Sequence, residues 1–192
     1  MDDGSSLPIT DYLSPGNKIR IFKVLKDYGF NSHGCRNLIM KQTTNDWVVL
    51  IDIDREFLEP KFVFNRLNTR PLNNNTLYRF VAHSSLKESH KSVNDYLINS
   101  NHFFSAGGYD EEIIGQRWGD REYFKQLLHY GNERILLDID LLLTRQSSVR
   151  IKGRAVSPFD IKDRIGEEDV KRRIKTPEPN KPILTFDWME IV

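Results

Sequence analysis

Two aspartates flank one residue in DID at 52–54, directly after the apolar run WVVLI at 47–51. Such a run reads as a strand covered on both faces. In a parallel sheet, ligands bind beyond the carboxyl ends of the strands. Two carboxylates at such an end can hold a divalent cation against a phosphate-bearing ligand, because Mg2+ and Mn2+ take hard oxygen donors and bind through one or two carboxylates plus substrate phosphates. The plain alternative is a turn whose Asp side chains bond nearby amides. Three further clusters carry usable chemistry. DDGSS at 2–6 sets an acidic pair before a turn. GCRN at 34–37 falls where a helix begins, so Arg36 and Asn37 could reach a nucleotide where N–H groups favour anions; the alternative is an ordinary first turn. GGYDE at 107–111 has paired glycines that admit positive φ and close backbone approach. It is followed by WGDRE at 118–122, where Asp120 near a helix start would be ionised and able to act as a base. Asp120 as an N-cap and Trp118 as core are equally plain readings.

The elements that must position these residues follow from periodicity and punctuation. Residues 18–25 read as a strand. Residues 33–41 read as a short helix opened by Asn31 or Ser32. Residues 59–67 read as a helix with Pro60 in its first turn. A loop over 70–75 precedes a strand over 76–82. Residues 93–104 admit either strand or helix. A helix over 120–130, with Tyr123, Phe124, Leu127 and Leu128 on one side, ends at Gly131. Residues 135–143 read as a last strand, and ILTFDW at 183–188 as an apolar piece docking back as an edge strand. Alternating strands and helices predict an α/β fold with crossovers and a mostly parallel sheet.

Composition narrows the classes. The single cysteine, Cys35, excludes an internal disulfide framework and a cysteine-based zinc site, and fits a reducing compartment. His33, His83, His90 and His102 show no metal-ligand spacing. With 28 basic against 27 acidic residues, bulk positive charge cannot drive nucleic-acid binding. The charge is uneven, however: residues 145–175 hold ten Lys or Arg and five Asp or Glu. A solvated helix is the expected role of that segment. Phe159 is its one aromatic residue, which argues against a base-stacking surface. No apolar run reaches membrane-spanning length, and the first ten residues lack the pattern of a signal peptide, so a cytoplasmic protein is expected.

In this order, the clusters resemble the inverting family 2 glycosyltransferases with the GT-A fold. The resemblance rests on DDGSS at 2–6, GCRN at 34–37, WVVLIDID at 47–54, GGYDEE at 107–112 and WGDREYFKQLLHYG at 118–131, and covers residues 2–140. It implies a GT-A-like domain over 1–144, with a mostly parallel sheet flanked by helices, and a basic extension over 145–192 that packs on it or trails from it. It implies metal-dependent transfer of a sugar from a nucleotide-diphosphate donor, UDP-linked first of all, to a hydroxyl of a glycan or polysaccharide, with inversion. Asp2 and Asp3 would contact the nucleoside, with Arg36 nearby. Asp52 would touch ribose or metal, and Asp54 would bind Mn2+ or Mg2+ bridging the diphosphate. Gly107 and Gly108 would let the backbone approach the donor sugar, beside Trp118. Counting back from Gly131 puts the base on Asp120; counting forward from Trp118 puts it on Glu122. Asp120 is chosen, since it needs no insertion before Gly131, and Glu122 is the alternative.

Two departures from the family pattern stand out. The family has a βαβ unit before DDGSS, whereas that motif starts here at residue 2. A partner chain supplying the unit is one expectation. A non-catalytic GT-A remnant, or half of a split enzyme, acting as a binding or scaffold module is the alternative. Some related enzymes also place a histidine ligand after the acidic helix, and none follows His129 here. No nucleic-acid partner is expected; residues 145–175 offer a basic face for a membrane surface.

Overall fold

The computed structural model describes residues 13–16, 18–26, 31–52, 55–84, 87–113, 119–143 and 183–191. The chain divides into two compact units. One draws on Met1–Thr43, Gly107–Tyr123 and Arg154–Val192, the other on Thr44–Ala106 and Phe124–Gly153.

In the first unit, β1 (Ile21–Val24) pairs antiparallel with β7 (Trp188–Ile191), Ile21 opposite Ile191. Helix α1 (Ser32–Gln42) is capped by Asn31, whose side chain accepts the Gly34 N–H at 3.1 Å. Leu38 of α1 is buried with Phe22, Val24 and Phe186, and Cys35, Ile39, Leu184 and Trp188 pack around them. The C-terminal strand begins later than the apolar run 183–188 suggests. Leu184 takes a left-handed φ of 57°, which interrupts an extended backbone before the strand can start.

The second unit holds β2 (Trp47–Leu50), β3 (Arg55–Phe57), α2 (Pro60–Thr69), β4 (Thr76–Ser84), β5 (Lys87–Asn99), α3 (Ser100–Ser105) and β6 (Asn132–Leu143). Helix α4 (Gly119–Tyr130) precedes β6. The sheet order is β2-β5-β4-β6-β3. The fold is thus mixed α/β, but the sheet is mixed rather than mostly parallel. Among the described residues only β4 and β6 run parallel; β2–β5, β5–β4 and β6–β3 are antiparallel. The physical reason lies in the connections. Ser84 and Lys87 are too close in sequence for a crossover, so β4 and β5 must pair antiparallel. The ambiguous stretch 93–104 is both things in turn: strand to Asn99, then helix, with the Asn99 side chain accepting the Asn101 N–H. Strand β2 lies at an edge, and Trp47, Val48 and Val49 are half-buried, so the run is not covered on both faces. An apolar run alone does not tell a central strand from an edge one.

Val63 and Leu67 of α2 pack on Tyr78, Phe80, Leu97 and Leu136, one face of this sheet. Both neighbours of β4 slip at the same place. On β5, Arg79 faces Tyr96 but Val81 faces Lys91; on β6, Phe80 faces Leu136 but Val81 faces Asp140. Each neighbour therefore carries three excess residues there, which bends the strands. Leu137, 78% exposed, falls in the excess on β6. Strand β2 lies at one edge of this sheet and β3 at the other, and the Arg55 N–H donates to the Asp52 carbonyl at 3.0 Å.

Candidate functional site

Asp52 lies two residues past β2, where the antiparallel register with β5 sets it beside Asn94. The Asn94 Nδ2 donates to Asp52 Oδ2 at 3.0 Å. The Asp52 backbone N–H donates to Asp95 Oδ1 at 2.8 Å. The other Asp95 oxygen lies 3.2 Å from Arg55 Nε, in an ion pair whose side chains are 0% and 12% exposed. A buried carboxylate persists only when paired and hydrogen-bonded, and here Asp95 ties down both ends of the span 52–55. The unbroken β2–β5 register brings Asn94 and Asp95 to this point, within the stretch of β5 that is in excess against β4.

The donor set can be weighed against Mg2+ or Mn2+. Among the described residues no group of three or more His, Cys, Asp or Glu could hold a metal ion. Asp95 is engaged by Asp52 and Arg55. The half-buried Asp52 carboxylate therefore offers hard oxygen without a surrounding protein cage. That fits a cation carried in by phosphates and completed by water, the usual habit of Mg2+, and does not fit a closed structural site.

The first unit shows how GCRN and GGYDE relate. Asn37 of α1 is buried. Its Nδ2 donates to the Tyr109 carbonyl at 2.9 Å and to Glu111 Oε1 at 2.8 Å, and its Oδ1 accepts the Tyr109 N–H at 2.8 Å. Glu111 Oε1 also accepts the Leu184 N–H at 2.7 Å, while Oε2 accepts the Thr185 N–H and hydroxyl, each at 2.8 Å. Tyr109 stacks on His33 at 5.2 Å and lies 4.1 Å from the Tyr123 ring. Arg36, half-buried, donates from Nη1 to Tyr109 Oη at 3.2 Å. The expectation that Asn37 reaches a nucleotide is corrected: its amide is buried and bound into the protein. Gly107 and Gly108 do take positive φ, 86° and 67°. Asp110 Oδ1 accepts the Glu112 N–H at 3.0 Å, fixing the turn that follows.

Helix α4 starts at Gly119, so Asp120 and Glu122 belong to its first turn. Its end differs from a left-handed glycine stop. Gly131 has no positive φ; instead, a Cβ there would meet the Asn75 carbonyl oxygen and His102 Cε1, the latter at 2.5 Å. Asp2, Asp3, Asp54, Trp118 and the basic segment 145–175 lie outside the described residues, as do the side chains of Asp120 and Glu122.

Sequence reasoning missed Asn94, Asp95 and Arg55, and gave Glu111 of GGYDE no role of its own. The available signal was an acid abutting the apolar YLI at 96–98, since a charge beside a buried run needs a partner. No helix among the described residues is long and apolar enough to cross a membrane. No protein-family model matches this chain, and no curated protein matches it.

Proposed function

We propose that this chain is a metal-dependent glycosyltransferase of the GT-A kind, moving a sugar from a nucleotide diphosphate to a hydroxyl acceptor with inversion. The observation that supports it most is the bracing of Asp52 beyond a strand end: its carboxylate accepts from Asn94 and its backbone N–H donates to Asp95, and the carboxylate offers the hard oxygen a phosphate-borne cation takes. The two positive-φ glycines before Tyr109 add a backbone able to approach a sugar closely.

In this reading Asp54, with Asp52, holds Mn2+ or Mg2+ against the diphosphate. When bound, the cation offsets the charge that gathers on the leaving diphosphate. Asp120 takes the proton from the acceptor hydroxyl, with Glu122 the alternative base; a first-turn position on α4 favours the ionised form either needs. The acceptor oxygen then bonds to the anomeric carbon from the face opposite the diphosphate, which departs with the electron pair. Asp2, Asp3, Arg36 and Trp118 bind the nucleotide and sugar. A UDP-sugar donor, a glycan or polysaccharide acceptor and a cytoplasmic setting complete the proposal.

One observation favours a second reading, a non-catalytic binding module of the same outline. Asn37 and Glu111 form bonds within the protein, so folding alone accounts for much of GCRN and GGYDE. Calorimetric titration of UDP and GDP, with and without Mn2+, separates the two. The transferase reading expects Mn2+-dependent binding that Asp54→Ala abolishes. Absence of metal-dependent binding by the wild-type chain would sink it and leave the binding module.

A further inference from the structure

We infer that Asp95 is the positioning residue of the cation-binding turn and that Asn94 assists it; the inference rests on the transferase reading. Asp95 is fully buried, yet both of its oxygens are directed to one short span of chain: Oδ1 to the Asp52 N–H, Oδ2 to the Arg55 guanidinium. Asp95 thereby fixes the Asp52 amide and the Arg55 side chain. Asn94 acts on the carboxylate itself, donating to Oδ2 at 3.0 Å. Backbone position and carboxylate rotation are thus controlled by two consecutive residues of β5, which the β2–β5 register brings opposite Asp52. A buried acid serving only the core would be costly where an apolar residue would do. Groups that orient a metal-binding carboxylate typically alter metal affinity roughly 10- to 100-fold when replaced.

The test measures UDP binding with and without Mn2+ by calorimetry and takes the ratio of the two dissociation constants. The proteins compared are wild type, Asp54→Ala, Asp95→Asn and Asn94→Ala. Asp95→Asn keeps an acceptor for the Asp52 N–H but loses the charge facing Arg55. A merely structural role would weaken UDP binding equally in both conditions and leave the ratio unchanged. A positioning role lowers the ratio roughly 10- to 100-fold in Asp95→Asn and by a smaller factor in Asn94→Ala, with metal-free UDP affinity unchanged. A wild-type ratio in both variants would overturn the inference while the transferase reading, tested by Asp54→Ala, stands. Should Asp95→Asn not fold, Asn94→Ala decides alone, and an unchanged ratio there overturns the inference. A ratio of one in the wild-type chain would overturn the transferase reading and the inference with it.

Discussion

Asn37 and Glu111 divide their hydrogen bonds between a helix, a glycine turn and the C-terminal backbone. Removing the Asn37 amide takes one hydrogen bond each from the Tyr109 N–H, the Tyr109 carbonyl and Glu111 Oε1, the last of which keeps the Leu184 N–H. Buried groups left short of a partner cost about 1–3 kcal/mol each. Asn37→Ala is expected to destabilise the protein by about 3 kcal/mol in urea denaturation. Asn37→Asp should do worse, because it sets a second carboxylate against Glu111 and removes the donor. A midpoint equal to wild type for Asn37→Ala would show that the amide is not the tie described.

The α4–β6 joint shows a glycine chosen for closeness rather than for φ. The Asn132 N–H donates to the Asn75 carbonyl at 2.8 Å, and there is no room beside it for a methyl group on Gly131. Gly131→Ala is expected to cost about 1–3 kcal/mol by overpacking, read as a lowered urea midpoint, while Gly16→Ala, where nothing lies within 4 Å, should leave it nearly unchanged. Element type was largely legible: α1, α2, α4, β4 and β6 fall within a few residues of where periodicity, caps and prolines set them. Strand partners were not. The hairpin between Ser84 and Lys87 and the three-residue slips at Val81 arise from pairing across the sheet, which local pattern does not encode. The candidate site shows the same division. The place of Asp52 beyond β2 and the positive φ of Gly107 and Gly108 were readable from the sequence. Asp95 was not, because it acts through a register set more than forty residues away.

Acid stability belongs to the molecule as a whole, and His102 sets one part of it. The ring is buried, and neither nitrogen has a hydrogen-bond partner among the described residues. Burial holds its pKa below the ordinary 6.5. The unfolded chain therefore binds this proton more readily than the folded one, so stability rises with pH across the window between the two values and falls on acidification below 6.5. Denaturation midpoints should drop between pH 7.5 and pH 5, and by less in His102→Leu; equal slopes in both proteins would refute this. Glu190, held below its usual 4.5 by the Arg20 hydrogen bond, loses its contribution only at lower pH, so the two effects separate along the pH axis. The pairing of β1 with β7 carries a consequence for biosynthesis. Arg20 and its partner Glu190 are 170 positions apart. At translation rates of about 5–20 residues per second, β1 leaves the ribosome on the order of ten to thirty seconds before its partner strand exists. Throughout that interval Ile21, Phe22 and Val24 have no native sheet to join, so this stretch of the nascent chain needs chaperone protection.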